Sequence, residues 1–492
     1  MRRVYWATGC GVLLAGTMLA LPAATGQQRQ ISTATSISAQ DRAEGAKAHP
    51  QLLQEFGGAY AGPQSAYVTT VGRKIAVQSG LSNAQSDFTV TLLNSPVNNA
   101  FAIPGGYVYV TRQLLALMND EAELAGVLGH EVGHVAALHG QRRQKAASRN
   151  AIGGTLLQVL AGAVLGDSGL GSILQKGIGT ASQALTLKFS RSQEYEADDL
   201  GIRYLANAGY DPKALSSTLA SLAAQNAIDQ RVTGNSRTVP EWASTHPDPE
   251  ARVSRALQRA KATGATSTLR NRDSFLAAID GTLYGDDPKQ GVIEGNRFRH
   301  PDLRLAFAIP TGYTMENGAA AVSITGANGQ AQFTGASYNG NMTDYISAAF
   351  SSIAKNASIS PDAVRTTTIN GIPASYASAR ANAQSGPVDV TVFAYQFGPK
   401  TAYHFLMIAP AGRGIGPFEP MIQSVQRLSA QDAAAIKARR VNVITVKPGD
   451  TVASLSAKMA YPDYREDRFR VINALPGAAT VRPGQKVKIV SY

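Results

Sequence analysis

From residue 41 to 77 apolar side chains recur at three- and four-residue spacing, with Leu52, Leu53 and Phe56 and then Tyr67, Val71 and Ile75 as candidate core positions. Gly57, Gly58 and Pro63 interrupt the run, so helix is expected on both sides of the break. The period then falls to two. Residues 88–93 (FTVTLL) alternate as a half-buried strand does, and Ala100 to Ile103, a Pro104-Gly105-Gly106 turn and Tyr107 to Val110 follow as strand, turn and strand. Next comes EAELAGVL, Glu121 to Leu128, a stretch rich in helix formers with no proline before it. A later helical run ends near Ala208, Gly209 to Pro212 turn the chain, and Lys213 to Ala227 return to an amphipathic helix.

Beyond the Gly-, Ser- and Thr-rich residues 263–273 the pattern changes. Strand-like runs at Leu303 to Ile309, Ala331 to Tyr338 and Val388 to Tyr395 are interleaved with helical runs at Thr343 to Lys355 and Phe418 to Arg427. Residues 274–430 are therefore expected to form a small α+β domain with an antiparallel sheet. It carries no motif to which chemistry attaches, since His300 and His404 are isolated. The final segment, 441–492, reads strand (Val443 to Val446), helix (Val452 to Met459), helix (Arg465 to Asn473) and strand (Lys486 to Val490).

The 492 residues are too many for one core, and a 44% hydrophobic, 16% charged composition is that of a globular, multidomain chain. Arg2 and Arg3, an apolar run from Val12 to Pro22 and the small residues Ala23 to Gly26 read as a secretory signal peptide over 1–26, with an uncleaved anchor as the alternative. A polar arm, 27–40, follows. The single cysteine, Cys10, lies inside the leader, so the exported chain needs no disulfide. The formal net charge of +12 drops to +10 without Arg2 and Arg3. A basic exported protein with no nucleic-acid module suits cell-wall polymer or an anionic membrane surface, and nucleic acid is not an expected partner. Residues 151–166 (AIGGTLLQVLAGAVLG) carry no charge, but they are short and glycine-rich for a membrane span. They read as a buried or cleft-covering helix, with peripheral membrane contact as the other reading.

The chemistry lies in GHEVGH, residues 129–134. On a helix, His130 and His134 sit about 40° apart around the axis, so both rings point toward one site. Neutral imidazoles suit zinc, and Glu131 beside them is placed as a general base for the attacking water. Catalytic zinc takes a third protein ligand. The pattern with a third histidine three residues past a glycine is excluded, because Ala137 and Gly140 stand at those positions. On a continuous helix His139 points about 140° away from His134, which makes it a structural histidine. Downstream, Glu194 and Asp198 are four apart in SRSQEYEAD, residues 190–198, so one carboxylate can ligate while the other accepts a ring N–H. Gly201, one turn on, would let two helices approach.

With both motifs in place, the stretch from about Asp41 to Arg255 resembles the M48 family of zinc metallopeptidases, which pair a HExxH helix with an ExEAD-like helix. The resemblance implies a mainly α, zincin-type (gluzincin) domain over 41–262 with a small β-hairpin sheet, and one zinc ion (Zn2+) per chain. It makes Glu194 the third ligand and Asp198 the aspartate behind it. It makes the strand around Asn98, Asn99, Ala100 and Phe101 the cleft border that pairs with an extended substrate. It also places His246, in an S-x-H-P stretch (244–247), over the metal, either stabilising the oxyanion or capping the zinc.

The last segment resembles a LysM domain, on Gly449-Asp450-Thr451, Ile472-Asn473 and the closing Pro483 to Ile489. That implies a βααβ module whose glycan groove involves Asp450, Thr451, Asn473, Ala474 and Leu475, with peptidoglycan as the partner and cleavage separable from binding. The expected function is then a periplasmic endopeptidase acting on misfolded or misassembled envelope proteins. The rivals are a zinc hydrolase of peptidoglycan cross-links, which would release muropeptides from sacculi, and a non-catalytic chaperone-like protein, against which the intact ligands and Glu131 argue.

Overall fold

A three-stranded sheet inside a shell of helices begins the fold. In the computed structural model the described residues are 33–81, 84–143, 189–233, 242, 246, 248–353, 359–383 and 386–492. The leader, most of the arm and the uncharged segment 151–166 lie outside them. Helices Ala39–Glu55 and Pro63–Ala76 flank the expected break. The arm's described end is not free. Ile37 is buried, Ser38 caps the first helix by accepting from Asp41 N, and Ala34 N donates to Ala136 O, 2.7 Å away.

Strands β1 (Thr89–Leu93), β2 (Ala100–Ile103) and β3 (Tyr107–Thr111) form a sheet in the order β1-β3-β2, with β3 parallel to β1 and antiparallel to β2. Leu52, Leu93, Phe101, Ile103 and Tyr109 form one core on this sheet. The hairpin turn needs glycine. Gly105 has φ +88° and a Cβ there would stand 2.7 Å from Asp41 O. Helix Glu121–Ala136 follows a short helix, Arg112–Leu117, and starts where Asp120 accepts from Glu123 N. Helix Arg191–Asn207 opens with a Ser190/Gln193 capping box and gives way at Gly209, with helices Ala214–Thr233 and Pro249–Ala262 completing the bundle.

The downstream region is organised differently from the expectation. Helix Arg272–Ile279 belongs to the first bundle: its Phe275 ring lies 6.2 Å from Tyr67 and Phe275, Leu276 and Ile279 are buried. The β-rich layers begin instead with β5 (Val292–Glu294), β6 (Arg297–His300) and β7 (Leu305–Ala308), to which β15 (Gln426–Arg427) adds. The large sheet is antiparallel, in the order β11 (Arg365–Ile369), β12 (Ile372–Ala383), β13 (Gly386–Gly398), β14 (Thr401–Pro410), β10 (Gly329–Ser337), β9 (Val322–Gly326) and β8 (Thr314–Asn317). Period-two alternation gives β14 two apolar faces. Phe405, Met407 and Ala409 join Phe298 and Phe307 of the smaller sheet, while Ala402, Leu406 and Ile408 join Ile346 and Phe350 of helix Met342–Ile353. Phe418 to Arg427, expected as one helix, is a helix only over Glu419–Ser424, because β15 pairs with β7.

In the C-terminal module β16 (Arg439–Thr445) and β17 (Lys486–Ser491) pair antiparallel around helices Val452–Ser456 and Arg465–Ile472. β4 (Leu283–Tyr284), from the other side of the β-rich layers in sequence, adds a third strand at Arg439 and Arg440. Among the described residues no helix is long and apolar enough to cross a membrane.

Candidate metal centre

Helices Glu121–Ala136 and Arg191–Asn207 cross at glycines. A Cβ on Gly201 would stand 3.0 Å from His130 N, and one on Gly129 would stand 3.3 Å from Gly201 Cα, so only glycine permits this approach. The crossing sets the two motifs face to face. His130 Nε2 and His134 Nε2 lie 3.0 Å apart, and each is 3.6 Å from a Glu194 oxygen. His246 joins them, and one donor atom from each of His130, His134, Glu194 and His246 falls within a 4.8 Å span, all four residues buried. Three of these residues are the expected ligands. The fourth, expected above the metal, is inside the cluster: His246 Nδ1 is 3.1 Å from Glu194 Oε2 and its Nε2 is 3.3 Å from Ala100 O. Trp242 stacks on it at 4.1 Å and accepts from its backbone N–H.

The groups behind the cluster fix its protonation. Asp198 lies 3.0 Å from His130 Nδ1, as expected of the aspartate behind a ligating histidine. Arg252 was not singled out from sequence. Its fully buried guanidinium donates from Nε and Nη2 to the two Asp198 oxygens at 2.9 and 2.6 Å, and its Nη1 is 2.6 Å from Glu194 Oε2. The clue was an arginine within the WASTHPDPEAR string, one helical turn past Asp248. Burial alone would push the Asp198 carboxyl up, but Arg252 and His130 outweigh it and hold it well below the carboxylate range. Glu194 behaves likewise, burial being overcome by His246 and Arg252. Burial, reinforced by the neighbouring cationic groups, pulls His134 far down and keeps it a neutral imidazole. His139 is buried beside it, its Nδ1 2.9 Å from His134 Nδ1, and burial pulls its pKa down to about 4.

This donor set fits a divalent metal. Ionised, the carboxylates of Glu131, Glu194 and Asp198 exceed the one Arg252 guanidinium by two negative charges, and the Nε2 atoms of His130 and His134 converge to 3.0 Å beside Glu194. Neither oxygen of buried Glu131 has a hydrogen-bond partner, and burial pushes its pKa up, as a general base requires.

Residues 63–260 match the family described as Peptidase family M48, and residues 444–490 match the LysM domain. Residues 63–260 are an M48 peptidase domain. The M48 family is zinc-dependent, and zinc suits the cluster found in this domain. Relatives similar to the M48 domain include the beta-barrel assembly-enhancing proteases of Yersinia pestis (31% identical, 45% of this chain and 44% of that protein) and Escherichia coli K12 (29%, 43% and 42%). The mitochondrial metalloendopeptidase OMA1 of Schizosaccharomyces pombe is 31% identical over 42% of this chain and 57% of its own. The chain thus spans less than half the length of the two bacterial proteases.

The other expected site residues fall at the edges of the M48 domain and in the LysM domain. β2 is an edge strand, and the Ala100 carbonyl points at His246. Asn98 is half-buried, and its amide oxygen is buried with no hydrogen-bond partner. Asn99 is buried, its backbone tied to Thr111, and the Phe101 ring is turned away into the core beside Phe56 and Tyr109. In the LysM domain Thr451 caps its helix, Asp450 accepts from Lys447 N, Ala474 is exposed and Leu475 is half-buried. Asn473 departs from the glycan-contact expectation. Its buried amide bonds Phe469 O and the N–H and C=O of Lys488, so it frames the loop instead of facing a sugar.

Proposed function

We propose that the chain is a zinc metalloendopeptidase of the gluzincin type that acts on unfolded or misassembled envelope proteins, exported by its 1–26 leader to the periplasm and held at peptidoglycan by its LysM module. The observation that carries the reading is the buried meeting of His130, His134 and Glu194 beside Glu131, whose carboxylate oxygens have no hydrogen-bond partner. Zinc bound there would polarise a scissile carbonyl and acidify water. Glu131 takes the proton of the attacking water on a carboxylate oxygen and returns it to the leaving amine. Asp198 and Arg252 hold His130 and Glu194 in their ligating forms. The position of β2 at the edge of its sheet, with Asn98 to Phe101, supports binding of an extended peptide through its main chain, which reads little side-chain sequence and so favours unfolded substrates.

The names of the bacterial relatives support envelope proteins as substrates. The LysM match over residues 444–490 supports the peptidoglycan tether, for which Asp450, Thr451, Ala474 and Leu475 remain the proposed glycan contacts. The test is metal analysis of the purified protein with casein digestion, with and without chelator. One zinc ion per chain and digestion lost to chelator and regained with zinc are expected. Digestion at an unchanged rate in metal-free protein would overturn the reading.

A further inference from the structure

Helix Arg191–Asn207 carries acidic residues at 194, 196 and 198, and each meets a different part of the centre. Glu194 enters the donor cluster and Asp198 reaches His130. Glu196 lies 3.3 Å from His139 Nε2, an electrostatic contact without hydrogen-bond alignment, and His139 Nδ1 lies 2.9 Å from His134 Nδ1. We propose that His139, braced by Glu196, is the positioning residue for the second metal histidine: it accepts the Nδ1–H of His134 and so keeps the Nε2 lone pair of that ring turned to the donor cluster. This rests on the metal-centre reading above.

Two ring nitrogens 2.9 Å apart share one hydrogen, and the surroundings decide which ring owns it. A carboxylate only accepts, so Glu196 favours the proton on His139 Nε2, which leaves a lone pair on Nδ1 of a neutral ring. The opposite assignment would put the His134 proton on Nε2, 3.0 Å from His130 Nε2, inside the cluster where a ligand lone pair is required. Each metal histidine then has its own support, Asp198 directly for His130 and Glu196 through His139 for His134.

The backbone makes this contact available. The helix ends at Ala136, and Leu138 takes a left-handed φ of +54°, which swings His139 back over the last turn. Glu196 is itself held by Arg142 Nη1 at 2.9 Å, and Phe189 stacks at 3.9 Å on the His134 ring, so the imidazole is confined on a face as well as at its edge.

Two substitutions in the full chain separate positioning from space-filling. His139→Leu fills the site without an acceptor, whereas His139→Asn sets a carboxamide oxygen near the place of Nδ1. Zinc affinity, read by competition with a chromophoric chelator, is expected to weaken roughly 10–100-fold in His139→Leu. His139→Asn should keep most of it. A wild-type chain that binds no zinc would overturn the metal reading itself, while a folded His139→Leu with wild-type affinity would overturn only the positioning role. Long-range proton–nitrogen NMR of the metal-free wild type needs no variant. Protons on His134 Nδ1 and His139 Nε2 are expected, and a proton on His134 Nε2 overturns the proposal.

Discussion

Lys488 Nζ lies 2.8 Å from the carbonyl oxygen of Ala116, and it also reaches Leu117 O at 3.2 Å and Met118 O at 2.5 Å. A lysine of the closing strand of the LysM module thus plugs the end of helix Arg112–Leu117, just before the metal helix begins. Helix ends leave carbonyls unpaired and partially negative, and an ammonium has three donors to give them. Burial pulls the Lys488 pKa down, and the charge of Glu123 opposes it. Together with β4 in the module's sheet, this socket makes the C-terminal module part of the metal domain's support, in contrast to the separable module expected from sequence.

Lys488→Met should therefore destabilise the metal domain by about 3 kcal/mol, since it leaves three buried carbonyls without their donor. Denaturant midpoints give the number. Truncation before Val441 should likewise lower the melting temperature of the zinc-loaded domain as well as release it from sacculi. Truncated protein with wild-type melting would show that the socket adds nothing to stability.

Glu131→Gln removes the proposed base and leaves every proposed ligand. Zinc content should stay at the wild-type level while turnover falls at least about a hundredfold, the usual size of a general-base contribution. Parallel metal analysis and casein digestion check both halves.

Arg252 joins Asp198 and Glu194 with a planar fork. Arg252→Leu strands two buried carboxylates and should cost about 3–5 kcal/mol, and Arg252→Lys, lacking the fork, should recover little of it. Thermal melts of the metal-free variants would register the loss. Full rescue by lysine would reduce Arg252 to a point charge.

The two zinc motifs were legible because four-residue spacing on a helix projects side chains to one side, and Gly201 was legible because close helix crossings demand glycine. Arg252 was not, since its contacts arise only when helix Pro249–Ala262 packs behind Asp198. The bond from His139 to His134 was hidden by the assumption of a continuous helix. Nothing in the apolar pattern marks the left-handed turn at Leu138. Phe275, Leu276 and Ile279 fall to the next domain by sequence because the composition change at 263–273 marks a break in the chain and not which core the following residues join. Asn473 stands at the groove by its position in the LysM pattern, which does not show that its amide is taken up by Phe469 and Lys488.

His404 offers a pH test far from the metal. It is buried between the large sheet and helix Met342–Ile353, with Nδ1 2.9 Å from Tyr345 OH, and burial pushes its pKa down to about 4. The unfolded chain binds this proton first, near pH 6.5, so the contribution is intact above that value and is lost as pH falls toward 4. Between pH 7 and 5 the loss should be about 2 kcal/mol. His404→Leu should flatten that slope in urea titrations, since Tyr345 OH keeps Ala402 O as an acceptor. An equal slope in wild type and variant would assign the pH dependence to other groups.

His246 sits among the groups proposed to bind the metal and activate water. Its Nδ1 is 3.1 Å from Glu194 and 3.4 Å from His130 Nε2, while its Nε2 faces both Ala100 O on the substrate edge and Glu131 Oε1 at 3.6 Å. One side chain thus contacts two proposed metal ligands, Glu131 and the edge strand, with Trp242 stacked on its ring. That arrangement favours the cap among the two roles expected from sequence. If the capped form outnumbers the open one by about ten to one, His246→Ala should raise basal cleavage roughly tenfold, with more self-digestion and unchanged zinc content. A histidine that donates to the developing oxyanion gives the opposite sign, a fall of about a hundredfold or more. Casein digestion and autolysis of the full-length variant, each normalised to bound zinc, decide between them, and an unchanged rate would remove His246 from both roles.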